Sequence, residues 1–258
     1  MGSIELPAMA TKPKIIFFSD FDGTITLKDS NDFMTDNLGY GAEKRRQGNL
    51  DVLENKVTFR EAFRDMLDSV DTPFDECIRI LLDNMELDPH FREFYDWANE
   101  HNVPIVILSS GMVPIIHSLL VKLLGHEPDN IQIVANQVGS RNGKDINTKG
   151  GWEIVYHDDS HFGHDKSLEI KPYAALPKEE RPTLLYAGDG VSDLSAASET
   201  DLLFAKKGKD LVAYCQREGI PFTVFENWST ILEETKRMWE GKTDPEAIAA
   251  AAKESANL

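Results

Sequence analysis

The sequence is poor in cysteine and contains no long apolar run, and each shortage excludes a class of protein. Its 258 residues include two cysteines, Cys77 and Cys215, which lie far apart in apolar helical patterns and are expected to be buried, reduced thiols. No apolar run reaches the roughly 20 residues that a membrane-spanning helix needs. Residues 1–12 lack the basic and apolar pattern of a secretory signal. We therefore expect a cytoplasmic protein with no membrane partner.

Basic residues are also scarce relative to acidic ones. The chain has 27 Lys and Arg against 44 Asp and Glu, a formal net charge of -17. Such an excess of negative charge argues against nucleic acid as a partner. An anionic substrate would have to be attracted by local cations, namely a metal ion and a well-placed lysine. The composition, 41% hydrophobic and 28% charged, is that of an ordinary globular protein.

The stretch 15–26 carries the first chemical signal. The apolar run Ile15–Phe18 predicts a buried parallel strand, which leads directly into Asp20 and Asp22. Alternation along an extended segment places these two carboxylates on the same side. Ligands bind at the carboxyl ends of strands in open α/β sheets, and two buried carboxylates need a cation to remain ionised together. We therefore expect the pair to hold a metal ion and to carry out chemistry.

The rest of the chain alternates between strand and helix patterns and predicts an α/β fold. Strands are predicted at 103–108, 131–135, 183–187, 202–205 and 222–225, and helices at 89–99, 113–124, 166–176, 193–198 and 228–238. This order predicts a doubly wound, mostly parallel, Rossmann-like core sheet. Residues 136–157 are typical of a hairpin or flap, in which we expect Trp152 and Tyr156 to pack.

Between the first two predicted strands, only helical periodicity is found. It predicts a small helical cap inserted after the first strand, above the acidic pair. The expected organisation is a discontinuous catalytic core at 13–27 and 87–242, a cap at 28–86, and a weakly helical or disordered tail at 243–258. The basic run 44–46 of the cap predicts a solvated helix face.

Polar residues follow three of the predicted strands. Besides the first acidic pair, they are Ser109 and Ser110 after the second strand and the acids of 188–193 after a later one, with Lys166 lying between these in sequence. A parallel sheet gathers such strand ends at one edge. Carboxylate oxygens there suit Mg²⁺. The Ser109 hydroxyl, the backbone N–H groups around Gly111 and the Lys166 ammonium could hold a phosphoryl group.

These motifs together resemble a known family. Asp20-Phe21-Asp22-Gly23-Thr24, Ser109, Lys166 and Gly188-Asp189-Gly190-Val191-Ser192-Asp193 resemble, in order, the four motifs of the haloacid dehalogenase superfamily. The helical cap makes the chain similar to the phosphoserine phosphatase branch, and closer still to methionine-salvage phosphatases and their fungal relatives. The resemblance implies a Mg²⁺-dependent phosphatase of small phosphate monoesters, a monomer or homodimer, acting through an aspartyl-phosphate.

The resemblance also implies residue roles. Asp20 is the nucleophile, and Asp22 is the general acid and then the general base. The phosphoryl oxygens are bound by Lys166 and by Ser109, Ser110 and Gly111. The implied metal ligands are Asp20, Asp189 and the main-chain carbonyl of Asp22, joined by Asp193, which also orients Lys166.

The substrate is expected to depend on two cap residues. Phosphoserine phosphatases carry an acid for the substrate amine nine positions after the nucleophile, here Asp29, although this residue could equally be a helix N-cap. Where they carry an arginine for the substrate carboxylate, this chain has Met66. A polyol or sugar phosphate, or a methionine-salvage ketose phosphate, is therefore favoured over phosphoserine. The alternatives are a phosphomutase and a non-catalytic phosphate-sensing protein.

The segment before Lys166 is rich in histidine. His157, His161 and His164 lie among Asp158, Asp159 and Asp165. This composition is compatible with a transition-metal site, but the spacing is not that of a helical ligand pair. We expect a solvated loop that leads to Lys166.

Overall fold

The computed structural model describes residues 6–256, which form a seven-stranded sheet flanked by helices. The strands are β1 Ile15–Ser19, β2 Ile105–Met112, β3 Ile131–Ser140, β4 Trp152–Val155, β5 Thr183–Gly188, β6 Leu202–Lys206 and β7 Thr223–Phe225. The helices are α1 Ser30–Leu38, α2 Ala42–Leu53, α3 Phe59–Asp68, α4 Phe74–Asn84, α5 Phe91–Glu100, α6 Val113–Leu124, α7 Lys166–Ala174, α8 Leu194–Ala197, α9 Asp210–Glu218, α10 Trp228–Trp239 and α11 Pro245–Ala256.

The strand order is β4-β3-β2-β1-β5-β6-β7. All neighbouring pairs are parallel except β3 and β4, which pair antiparallel as the predicted hairpin. β1 therefore lies between β2 and β5, where the chain's connections diverge to opposite halves of the sheet. Such a switch point leaves a crevice at the carboxyl ends of the strands. Asp20 and Asp22 follow β1 at this position, and the predicted mostly parallel α/β fold is confirmed.

Side chains of β1 alternate between two apolar cores. Ile15 and Phe17 belong to the larger cluster, whereas Ile16 and Phe18 belong to a second cluster on the other face. All four residues are buried. A strand with both faces buried reads as a continuous apolar run rather than an alternating one. This is why Ile15–Phe18 could be assigned from sequence.

Helices α1 to α4 are inserted between β1 and the rest of the core. Helix α3 begins with a capping box, in which Thr58 and Glu61 exchange hydrogen bonds with each other's backbone amides. Its buried face includes Phe63, Met66 and Leu67. The indole of Trp152 in β4 is buried against α4, where it packs edge-on to Phe74, as expected for flap packing. The helical cap is thus supported by the antiparallel hairpin of the core.

Several boundaries differ from the sequence prediction. The predicted strand ended at residue 108, whereas β2 continues to Met112, with a register shift relative to β3 between Ser109 and Met112. No bounds were predicted for helix α9, although Cys215 was expected to lie in a helical pattern, and only Leu211 and Cys215 of its nine residues are buried. Within 243–256, Pro245–Ala256 is helical and Ile248 packs into the larger core, so the disordered alternative is wrong for these residues.

Cys77 and Cys215 are both free and buried, as predicted. No helix in the part of the chain covered by residues 6–256 is both long and apolar enough to cross a membrane.

Candidate active site

A cavity of about 300 Å³ lies between the carboxyl end of the sheet and the inserted helices. Its core side is lined by the strand-end residues Asp20, Asp22, Ser109, Ser110, Gly111 and Asp189. Its other walls come from α1, α2 and α3, through residues such as Asp29, Arg45 and Met66. The fold therefore brings together residues that are up to 190 positions apart, from Asp20 to Asp210.

The ammonium of Lys166 is fully buried between two carboxylates. Its Nζ donates to Oδ1 of Asp20 at 2.7 Å and to Oδ1 of Asp193 at 2.6 Å. Burial alone would lower the pKa of Lys166, but the charges of Asp193 and Asp20 outweigh it and raise the pKa. Lys166 is therefore a permanent cation buried behind Asp20, which itself lines the cavity. Lys166 is the first residue of α7, and this position in the helix fixes the direction of its side chain.

Asp193 is held on all sides. Its Oδ1 also accepts from the Tyr186 hydroxyl at 2.6 Å, while its Oδ2 accepts from the amides of Asp189 and Gly190 at 3.0 and 2.9 Å. These bonds fold the loop after β5 back on itself. Asp193 thus fixes Lys166 on one side and the backbone of Asp189 on the other.

Asp20, Asp189 and Asp193 offer carboxylate oxygens that lie within 4.8 Å of one another. Burial raises the pKa of Asp20 well above its usual range despite the opposing effect of Lys166, and burial with the Asp193 charge raises that of Asp189 to about 7. A cation would offset this accumulation of buried negative charge. An all-oxygen donor set fits a hard ion such as Mg²⁺.

Gly23 leaves the space beside this cluster open. Its φ of +77° favours glycine, and a Cβ there would lie 2.3 Å from Oδ2 of Asp189. Any larger residue would displace that carboxylate. The carboxylate of Asp22 lies outside the cluster, which is compatible with a metal contact through its carbonyl alone.

Asp22 instead faces the start of α1. Its Oδ1 accepts from the Ser30 amide at 2.7 Å, and its Oδ2 accepts from the Asn31 side-chain amide at 3.0 Å. Burial and the nearby Asp29 charge raise the pKa of Asp22 well above its usual range, whereas the Ser30 hydrogen bond lowers it. The two effects leave a carboxyl group that can both release and accept a proton.

The segment Ser109–Gly111, at the carboxyl end of β2, forms another part of the cavity wall. The Ser109 hydroxyl accepts from the Gly111 amide at 3.0 Å, and the Ser110 carbonyl accepts from the Asn136 side chain. The Ser110 hydroxyl is buried without a hydrogen-bond partner among the described residues. A buried hydroxyl of this kind is normally satisfied, so it suits a bound polar group in the cavity.

The two predicted specificity residues both line the cavity. Asp29 is the N-cap of α1, and its Oδ1 accepts from the amides of Asn31 and Asp32 at 2.8 Å each. Neither bond uses Oδ2. Met66 lies on the buried face of α3 beside Phe63. The position that would need a cation to bind a substrate carboxylate is therefore apolar.

Arg45 is the residue that sequence reasoning misjudged most. The basic run 44–46 predicted a solvated face, yet the Arg45 side chain is only 12% exposed. Its guanidinium contacts Asp32 at 2.7 Å and makes two hydrogen bonds to Asp36 at 2.7 and 2.9 Å. Lys44 and Arg46 are exposed as predicted, but the prediction was wrong for Arg45, because packing of α2 on α1 places it opposite acids that are nine or more residues away. Lys209, 3.4 Å from Asp189, was also missed.

The histidine segment is likewise only partly solvated. His157 and His161 are exposed, but His164 is fully buried, and its Nδ1 lies 2.9 Å from the Ser109 carbonyl oxygen. Burial lowers the pKa of His164 to about 4. The expectation of a solvated loop is therefore wrong for His164, which joins the loop to the wall of the cavity.

An α/β sheet whose switch point presents clustered carboxylates, a buried lysine and a serine segment beneath a helical cap defines a hydrolase that acts on phosphate esters. The haloacid dehalogenase-like hydrolase family matches residues 17–198, and the chain belongs to that family. This confirms the resemblance, and the chain is a phosphoric monoester hydrolase.

Individual relatives cover nearly the whole chain. It is 50% identical to "Pdp3-interacting factor 1" of Schizosaccharomyces pombe, over 90% of this chain and 99% of that protein. It is 48% identical to "Polyol phosphate phosphatase PYP1" of Saccharomyces cerevisiae, over 89% and 95%. A "2-hydroxy-3-keto-5-methylthiopentenyl-1-phosphate phosphatase" of Bacillus cereus is 28% identical, over 88% and 98%. In fold, the chain is similar to a phospho-aspartyl intermediate analogue of phosphoserine phosphatase, with a TM-score of 0.60 at 16% identity over 86% and 98%.

Proposed function

We propose that the protein hydrolyses the phosphate ester of a small, uncharged polyol. The observation that carries this proposal is the pairing of Arg45. Of the described residues that line the cavity, only Arg45 and Lys209 are cationic. Arg45 is already neutralised by Asp32 and Asp36, and Lys209 lies beside Asp189 on the core side. A substrate carboxylate, such as that of phosphoserine, would find no unpaired cation among the described residues that line the cap side of the cavity.

A polyol fits the polar lining better. Asp29 and Asp32 present acceptors, while Asn31, Tyr40 and Asn49 can both donate and accept. Hydroxyl groups of a polyol can donate to the acceptors without bringing further negative charge into the cap. The fungal relative named as a polyol phosphate phosphatase, at 48% identity, supports the same substrate class.

The reaction would proceed through an aspartyl-phosphate. Lys166 fixes Oδ1 of Asp20, so the other oxygen, Oδ2, attacks phosphorus as the bond to the ester oxygen breaks. The leaving alkoxide takes its proton from Asp22. The resulting Asp22 carboxylate then removes a proton from water, whose oxygen attacks the phosphorus and releases inorganic phosphate and Asp20.

The remaining residues bind and orient the phosphoryl group. Lys166 and the Ser109–Gly111 segment provide the cation, hydroxyls and amide for its oxygens. Mg²⁺ would be held by Asp20, Asp189 and the Asp22 carbonyl, next to Asp193. When bound, it would neutralise the carboxylates and part of the phosphate charge.

The cavity also has an apolar wall, which favours one second candidate. The rings of Phe59 and Phe63 stack with centroids 5.3 Å apart beside Met66. Such a wall could contact the thioether of a methylthio-ketose phosphate. A relative at 28% identity carries that substrate in its name.

A panel of phosphate esters with Mg²⁺ tests the assignment. We expect inorganic phosphate release from polyol phosphates of different length to exceed that from phosphoserine by at least about tenfold in kcat/KM. A preference for phosphoserine would reject the proposal, and a preference for the thioether ketose phosphate would replace it with the second candidate. Formation of an isomeric phosphate ester without phosphate release would indicate a phosphomutase.

A further inference from the structure

A second group of potential metal ligands lies outside the carboxylate cluster. His157, His164 and Glu169 offer ligand atoms that lie within 4.8 Å of one another. None of these residues belongs to the proposed catalytic set. We propose that they form a site for a divalent transition-metal ion, with Zn²⁺ as the expected occupant. This proposal does not depend on the substrate of the enzyme.

The strongest indication is the unpartnered nitrogen of His164. This side chain is fully buried, and its Nδ1 lies 2.9 Å from the Ser109 carbonyl oxygen. A carbonyl can only accept, so Nδ1 carries the proton and Nε2 presents a lone pair. Nε2 is buried and has no hydrogen-bond partner within residues 6–256. Metal-ligating histidines characteristically donate their other N–H to a carbonyl or carboxylate, which is the arrangement found here.

The other two candidate ligands, His157 and Glu169, lie nearer the surface than His164. The His157 ring lies 4.6 Å from the His164 ring, centroid to centroid, and its Nε2 is 2.9 Å from Oε1 of Glu169. Two imidazoles and one carboxylate suit Zn²⁺ far better than Mg²⁺. Zn–N bonds of about 2.0–2.1 Å in tetrahedral geometry place ligand atoms about 3.3 Å apart, so His157 and Glu169 must separate slightly while ligand atoms that lie farther apart must approach. His157 and Glu169 are about one-third exposed and can make that movement.

An ion at this position would connect three parts of the active-site framework. His164 contacts the Ser109 backbone. Glu169 lies in the first turn of α7, which begins at Lys166, and His157 follows β4 by two residues. The same loop supports the cap, since the Arg60 amide donates to the His161 carbonyl. The ion would therefore hold the loop 157–164 against both the core and α3, as a structural site.

Metal titration in the presence of excess Mg²⁺ tests the proposal. The chain is prepared without a histidine tag, stripped with EDTA and freed of it, and Zn²⁺ binding is followed by calorimetry. We expect one Zn²⁺ per chain, and Co²⁺ in its place should give the intense visible absorption of a nitrogen-ligated, low-coordination ion. Zn²⁺ should also raise the thermal unfolding midpoint. Absence of a Zn²⁺ site under excess Mg²⁺ would overturn the proposal.

Substitution of the exposed ligands gives the matched comparison. His157→Asn and Glu169→Gln should each weaken Zn²⁺ binding by at least about tenfold. His161→Asn, in the same loop but outside the group, should bind like the unsubstituted chain. Asp189→Asn should also retain the site, because it alters only the carboxylate cluster. Unchanged binding in His157→Asn, or equal loss in His161→Asn, would contradict the assignment. Circular dichroism of the metal-free variants checks that each remains folded.

Discussion

The backbone amide of Ser30, in the first turn of α1, donates a 2.7 Å hydrogen bond to Oδ1 of Asp22. The following residue, Asn31, donates its side-chain amide to Oδ2. The helical insertion is therefore joined directly to the proposed general acid. The Ser30 hydrogen bond lowers the pKa of Asp22 against the effect of burial. An amide donor such as Asn31 also favours the ionised form of the carboxyl group that it contacts.

Removal of one donor should change the pH dependence of catalysis. In Asn31→Ala the carboxylate of Asp22 loses a charge-assisted hydrogen bond, so its pKa should rise. Attack on substrate requires protonated Asp22, and the alkaline limb of kcat/KM should therefore move up by about one pH unit. The measurement is a pH–rate profile with a polyol phosphate. Asn37→Ala, on the exposed side of the same helix, is the control and should leave the limb in place. A limb that does not move, or moves down, contradicts the role of Asn31.

Two acids that bind the same arginine should affect stability with opposite dependence on pH. Burial and the Asp29 charge raise the pKa of Asp32 to about 7, whereas the Arg45 hydrogen bond lowers that of Asp36. A raised pKa means stability that is present at low pH and lost as pH rises through about 7. A lowered pKa means stability that is present above the unfolded pKa and lost as pH falls.

The corresponding variants separate these effects. Relative to the unsubstituted chain, Asp32→Asn should become more stable as pH increases from 5 to 8, because asparagine mimics the protonated acid. Asp36→Asn should be less stable at pH 8 by an amount that stays nearly constant down to about pH 5 and shrinks as pH falls below about 4. Thermal unfolding midpoints across this range provide the measurement. Parallel behaviour of the two variants would reject the assigned charge states.

Asp20 should be indispensable for turnover. Asp20→Asn removes the attacking carboxylate while keeping the size of the side chain, so hydrolysis of an activated aryl phosphate should fall by at least about 10³-fold. EDTA should also stop the reaction, and Mg²⁺ should restore it. Asp83→Asn, an exposed acid on α4, is the control. Substantial turnover by Asp20→Asn would exclude the nucleophile assignment.

The sequence predicted the parts of the site that follow from local patterns. Asp20 and Asp189 could be placed because each directly follows an apolar strand, and parallel strands end at the same edge. Arg45 and His164 could not be placed in this way. Arg45 is partly covered because α2 packs it against Asp32 and Asp36 of α1, and buried His164 contacts the carbonyl oxygen of Ser109, 55 residues earlier. Their surroundings arise from tertiary contacts, which residue spacing does not encode.

Met66 should control discrimination between uncharged and carboxylate-bearing substrates. The side chain lies on the buried face of α3 and lines the cavity. Met66→Arg would add a cation that, unlike Arg45, is not already bonded to two acids, and it could pair with a substrate carboxylate. The ratio of kcat/KM for phosphoserine to that for a polyol phosphate should increase by at least about tenfold, equivalent to about 1.4 kcal/mol. Met66→Leu keeps the wall apolar and should leave the ratio nearly unchanged. If Met66→Arg lowers activity on both substrates equally, the residue supports packing of the cap and does not determine specificity.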